Sequence, residues 1–217
     1  MGSTATPAYG PQRRTGIIHG CALGWCQNLP IFKEHPVMAI RNRMPPWHEN
    51  FSLPNGRTLL LRPIRPEDGP PLQGAFSLLG PEEIRARFVR SSAEITTEMV
   101  QRLTHPNPKS EIVLVAAEQL PPGEALVGAV ARAALVPGTR QAEYTILVSS
   151  FVAGQGLGRQ LMRKLVKWAR RKYLDCLYGD VLQSNLPMLQ LAESLGFKPQ
   201  PHPDSPELVR MVLELDA

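Results

Sequence analysis

The chain has 217 residues, a formal net charge of +5 and a pI near 9.4. Hydrophobic residues at 43% and charged residues at 20% describe a globular domain and exclude a disordered or collagen-like chain. The mild basicity admits an anionic ligand without demanding nucleic acid.

Three cysteines are too few for a disulfide framework, so a reducing compartment, the cytoplasm, is expected. The sequence holds no run of about 18 apolar residues, so no membrane partner is expected. Residues 1–50 show little periodicity and carry Pro7, Pro11, Pro30, Pro36, Pro45 and Pro46, which break regular elements. Residues 1–52 are expected to be a leader, disordered or loosely packed, with the folded domain at 53–217. Met1-Gly2 with Thr6 touches a myristoylation pattern, but so short a match is common, and Arg13-Arg14 touches a twin-arginine signal whose apolar stretch is too short and contains His19. His19, Cys21 and Cys26 lack a second ligand pair at zinc spacing, and no metal is expected.

From the Asn55-Gly56 turn onward the pattern sharpens. Arg57–Ile64 reads as a strand, and Pro66-Glu67-Asp68-Gly69 stops it. Leu72, Ala75, Phe76 and Leu79 predict a helix over Pro70–Leu79. A short helix opening at Pro81 and another over Thr97–Leu103 follow. Glu111–Gln119, Ala125–Leu135 and Ala142–Val148 predict an antiparallel meander. A Gly-rich loop and a helix over Gly158–Lys172 come next, then a strand over Leu174–Val181. Pro187–Leu195 is a helix stopped by Gly196, and Leu208–Leu215 a closing strand. The order predicts an α+β (mixed α/β) fold, with helices on a largely antiparallel sheet.

The loop Gly154-Gln155-Gly156-Leu157-Gly158-Arg159 joins a strand to a helix N-terminus. Unpaired amides and the helix dipole make such a junction an anion site, and glycines let the backbone approach a phosphate. A flexible turn is the plain alternative. Gly158-Arg159-Gln160 lacks the Lys and Ser/Thr of a Walker loop, and the preceding meander disfavours a dinucleotide fold. Arg159 in the first turn is a cation at the wrong end of the dipole unless an anion arrives.

Strand alternation puts Glu143, Thr145, Leu147 and Ser149 on one face. A carboxylate in so apolar a strand is either a base or the partner of Arg132 or Arg140. Cys176 lies in an apolar strand with no His in that segment and reads as structural. His105 and His202, each before proline, carry no ligand pattern. Asn185 before Pro187 reads as a turn or helix cap.

Ala153–Gly158 resembles the Gln/Arg-x-x-Gly-x-Gly/Ala signature of the GNAT superfamily of acyl-CoA-dependent N-acetyltransferases, with Ala153 where that family carries Gln or Arg. Asn185 and Leu195-Gly196-Phe197 are similar to its later motif, and the likeness covers about Arg57–Leu215. Leu61–Asp68, Arg85-Ala86-Arg87-Phe88 and Ala142–Ile146 look like segments of Pat-like bacterial protein lysine acetyltransferase domains.

The resemblance implies a central sheet splayed at the acyl-CoA site and acetyl-CoA as donor. It implies a pyrophosphate cradle at Gly154, Gln155, Gly156, Leu157, Gly158 and Arg159, and backbone contacts to the pantetheine arm from Leu147 and Val148. It further implies a donor contact from Asn185 and a general base at Glu143. The acceptor is then a protein lysine or a small amine. A non-catalytic acyl-CoA-binding regulator is the reading from another class. The Tyr that many members place seven residues after the Asn is Ala192 here, leaving Tyr173 and Tyr178 as unranked acids.

Overall fold

At Asn55-Gly56 the chain reverses. Gly56 takes φ 83°, and the Leu53 amide donates to the Arg57 carbonyl at 2.7 Å. This turn joins β1 (Glu49–Ser52) to β2 (Thr58–Pro63). The structure is a computed structural model that describes residues 48–77, 96–121 and 124–215. Contacts divide the chain into Met1–Asn42 and Arg43–Ala217, and the described residues all lie in the second unit.

The elements then run α1 (Gly69–Ser77), α2 (Thr97–Thr104), β3 (Glu111–Glu118), β4 (Val127–Leu135) and β5 (Gln141–Val148). They continue with α3 (Leu157–Arg171), β6 (Cys176–Leu182), α4 (Leu186–Glu193), β7 (Lys198–Pro201) and β8 (Leu208–Glu214). The strands form one sheet in the order β1-β2-β3-β4-β5-β6-β8-β7, antiparallel throughout except for the parallel β5–β6 pair. This is the expected mixed architecture. The helix expected from Pro81 and the Arg85–Phe88 segment lie outside the described residues.

The first described strand lies on the leader side of the boundary expected at 52/53. Glu49–Ser52 pairs with Thr58–Leu61 as the outermost strand, because its partner strand supplies the hydrogen bonds that its own pattern does not announce.

Two cores flank the sheet. On one face Leu161, Met162, Leu165 and Ala169 of α3 are fully buried over the small side chains Ala129, Ala131 and Ala133, which admit the helix closely. Truncating a leucine there would cost about 2–5 kcal/mol. On the other face Leu72, Val100 and Leu103 of α1 and α2 cover Val113, Val115, Val130 and Leu147.

The β2–α1 turn is fixed by a buried ion pair. Arg62 donates to both Asp68 oxygens at 2.6 and 2.7 Å, and Asp68 Oδ2 accepts from the Arg65 amide at 2.8 Å. Removing either partner would strand a charge in the core, which typically costs about 3–5 kcal/mol. No described helix is long and apolar enough to cross a membrane.

Candidate functional site

β5 and β6 pair only over Gln141–Glu143 and Cys176–Tyr178. Beyond these residues the strands part. Ser149 donates to the Gly128 carbonyl at 2.9 Å and Val136 to the Gln141 carbonyl at 2.9 Å. With the antiparallel register Val130↔Leu147, this directs the backbone groups of the odd-numbered β5 residues at β4. The even-numbered residues therefore point their N–H and C=O at β6, and at Ile146 and Val148 there is no β6 strand to meet them.

This alternation separates Leu147 from Val148, the two β5 residues expected to contact the donor. Leu147 spends its backbone groups on Val130 and buries its side chain under α1 and α2. Ile146 and Val148 are the residues whose backbone faces the gap. The direction of the Ile146 backbone was not legible in the sequence, because the alternation of hydrogen-bonding direction depends on which strand is the neighbour.

The Gly-rich loop stands at the mouth of this gap. Gly154 and Gly156 take φ 73° and 83°, conformations that favour glycine. Gly156 is the N-cap of α3 and supplies no side-chain cap. The first intrahelical bond begins with Gln160 donating to the Gly156 carbonyl at 3.2 Å. The amides from Gly154 to Arg159 find no acceptor among the described residues. They form a row of donors at the positive end of a 15-residue helix.

Leu157 anchors the loop in the core. Gly158 holds α3 against its neighbours, since a Cβ there would come within 3.1 Å of Leu191 and 3.7 Å of Val148. Gln155 donates from Nε2 to the Phe151 carbonyl at 3.4 Å, and its Oε1 is buried without a partner among the described residues. Arg159 turns its guanidinium to Ser194, donating to Oγ at 2.8 Å. Asn185 caps α4, its Oδ1 accepting from the Met188 amide at 3.3 Å.

On the face opposite α3, Arg132 pairs with Glu111 at 3.1 Å. Just before β5 and β6, Arg140 pairs with Asp175 at 3.0 Å. Both cations offered to Glu143 by sequence are therefore engaged elsewhere. Glu143 is half-buried and has neither ion pair nor hydrogen bond among the described residues.

In the parallel register Glu143 lies beside Tyr178. Arg210 lies over the Tyr178 ring, its guanidinium carbon 4.5 Å from the centroid. Its Nε and Nη2 donate to Asp180 at 2.8 and 3.0 Å, and this carboxylate pushes the guanidinium further above its already high range. His202 joins the pair. Its Nδ1 accepts from the amides of Asp204 and Ser205 at 3.1 and 3.0 Å, so the proton sits on Nε2 and is donated to Asp180 at 3.1 Å.

Tyr144 faces the other way, into the α3 core. Burial, with the Asp180 charge adding to it, pushes its phenol well above the ordinary range. Cys176 is buried, and desolvation raises its thiol. No metal-ligating group of three or more His, Cys, Asp or Glu occurs among the described residues.

A half-opened sheet with an amide-lined helix start at its mouth is a receptacle for an extended, phosphate-bearing ligand. Comparisons agree with that geometry. The acetyltransferase (GNAT) family model matches residues 82–197. An acetyltransferase of Pseudomonas aeruginosa is 29% identical over 153 residues, 70% of this chain and 82% of that protein. The crystal structure of the GNAT domain of S. lividans PAT superposes with a TM-score of 0.66 at 21% identity, covering 78% of this chain and 97% of that one. Spermidine N-acetyltransferase from Vibrio cholerae, in complex with CoA and spermine, superposes with a TM-score of 0.57 at 17% identity over 72% and 95%. The chain belongs to the GNAT family of acetyltransferases and is an acyl-CoA-dependent N-acetyltransferase with acetyl-CoA as its donor.

Proposed function

We propose that the protein transfers the acetyl group to a primary amine, a lysine side chain of a protein, by direct attack with Glu143 as general base. The pyrophosphate of acetyl-CoA lies on the amides of Gly154–Arg159, and the pantetheine arm enters the gap beside Ile146 and Val148. Asn185, at the head of α4, lines the donor's path from the β6 side. Residues 1–43 are dispensable for this chemistry, and the reaction runs in the cytoplasm.

In the reaction the amine nitrogen bonds to the thioester carbonyl carbon as its proton passes to Glu143. The Val148 amide, directed into the gap, stabilises the oxyanion. Collapse breaks the C–S bond, and the CoA thiolate leaves and takes a proton from solvent. A lysine amine has a pKa of about 10.4, so at neutral pH a base is required before attack.

The observation that carries this reading is the half-buried Glu143 carboxylate without an ion pair, beside the gap, with Arg132 and Arg140 bound to Glu111 and Asp175. Similarity to the S. lividans PAT domain supports a protein acceptor, and similarity to a spermidine acetyltransferase supports a small polyamine as the second reading. Thiol release from acetyl-CoA, measured against a lysine peptide and against spermidine, separates the two. Turnover on spermidine alone refutes the protein-lysine assignment.

A further inference from the structure

Arg210 occupies a position that the acetyl-transfer chemistry does not use. Two of its three nitrogens are fixed by Asp180, whose side chain is 4% exposed, and Asp180 is held in turn by His202, also 4% exposed. The third nitrogen, Nη1, makes no hydrogen bond among the described residues, and the side chain is 22% exposed. The result is a guanidinium held at a fixed place on the face that carries Glu143, with one edge left over.

Its place relative to the base follows from the registers. Glu143 lies opposite Tyr178, and Arg210 opposite Asp180, so Arg210 is two strands across and two residues along from Glu143, about 12 Å between Cα atoms at ordinary strand geometry. Lys198, exposed on β7 and in register with Val212, adds a second cation to the same face. Arg132 offers no comparable charge because Glu111 neutralises it.

Taking Glu143 as the base, we propose that Arg210 determines acceptor specificity by binding, through its free edge, an acidic side chain flanking the reacting lysine of a peptide. A lysine amine at Glu143 and a carboxylate one or two residues away span about that distance, at about 3.3–3.6 Å per residue plus the two side chains. A polyamine would instead bring a second ammonium towards Arg210 and Lys198, where like charge opposes it.

The test uses the full chain, acetyl-CoA and three acceptors: an end-capped lysine peptide with glutamate beside the lysine, the same peptide with lysine in place of that glutamate, and spermidine. The wild-type protein should favour the acidic peptide by about tenfold in kcat/KM, the scale of one charge-assisted hydrogen bond, and mostly through KM. Arg210→Met should bring that ratio towards one, while Arg210→Lys, which keeps the charge without the fork, should retain part of it. An acetyl-CoA-induced melting shift reports whether each variant is folded.

Equal rates on the three acceptors in the wild type, or a preference for spermidine, overturn the proposal even if neither variant folds. An unchanged ratio in folded Arg210→Met does the same. Failure of the base reading looks different. Glu143→Gln would then keep its turnover on every acceptor, and the acceptor ratio would still report on Arg210.

Discussion

The phenol end of Tyr144 fills the space over Gly179: a Cβ on Gly179 would lie 2.6 Å from the Tyr144 Cζ. The two residues sit where β5 and β6 part, and the ring is held from its far side by Phe197, edge-on at 5.3 Å between centroids. The wedge keeps the strands from closing their ladder. Gly179→Ala has no room to be absorbed and should destabilise the protein by about 1–3 kcal/mol, the usual cost of overpacking. Tyr144→Leu in the same chain should return part of that loss, a coupling that a double-mutant cycle of melting curves measures. Tyr144→Phe removes a buried hydroxyl without a partner among the described residues and should be neutral or stabilising. Additive melting shifts for Gly179→Ala and Tyr144→Leu would show that the ring does not hold the strands apart.

The amide row makes a separate prediction. Acetyl-CoA binding to the native state alone raises stability by RT ln(1 + [L]/Kd). Gly156→Asp puts a carboxylate at the anion site and a side chain at φ 83°, a region that favours glycine. The acetyl-CoA melting shift should vanish while the unliganded protein loses only about 1–2 kcal/mol. A full shift in this variant would place the pyrophosphate elsewhere.

Elements whose pattern is set by their own residues were legible in the sequence. The apolar run Glu111–Glu118 and the stripe Leu161, Met162, Leu165 and Ala169 gave β3 and α3 nearly residue for residue, because burial dictates their composition. β1 and β7 were not legible. Each has four residues at a sheet edge, and β7 contains Pro199 and Pro201 in a fully exposed stretch, which only an edge tolerates. The Gly-rich loop was readable for the same reason as α3, since its positive φ angles require glycine at Gly154 and Gly156. The gap, the direction of each backbone amide and the engagement of Arg132 with Glu111 depend on which strands become neighbours. A one-dimensional pattern carries no such term.

Edge strand β1 should matter more than its length implies. Glu49 accepts from Lys164 at 2.5 Å and from Gln160 at 2.6 Å, and Phe51 reaches the loop glycine Gly156. A chain starting at Met44 should fold and bind acetyl-CoA, whereas one starting at Leu53 should melt lower and bind more weakly. The Lys164 hydrogen bond lowers the Glu49 pKa below its ordinary 4.5. Its stabilisation is therefore present above that value and is lost as pH falls through the lowered folded one. Because the pair is partly exposed, the effect is at most about 1 kcal/mol. Glu49→Gln should abolish that increment at neutral pH and leave the melting temperature less sensitive to pH below 4.5. Equal stability of the two truncated chains would remove β1 from the support of the loop.

The role proposed for Glu143 is tested by its pH dependence. Glu143→Gln keeps the shape of the side chain and removes the proton acceptor, so acetyl-CoA should still raise the melting temperature while turnover at neutral pH falls by about 10²–10⁴-fold. If the loss is that of a base, it must shrink as pH rises, because a lysine acceptor with a pKa of about 10.4 progressively supplies its own neutral amine. The variant's rate should then climb with the fraction of free amine and approach the wild type at the alkaline end. A residue that merely positions the acceptor would produce a deficit of constant size across the same range. Arg132 and Arg140 are engaged by Glu111 and Asp175, and Arg210, the cation that feels the Glu143 charge, is held by Asp180, so Glu143 has no cation to hold in place and the pH-dependent form is expected. Wild-type turnover in Glu143→Gln at neutral pH, on an acceptor the wild-type protein acetylates, would instead send the proton out through water in the gap between β5 and β6.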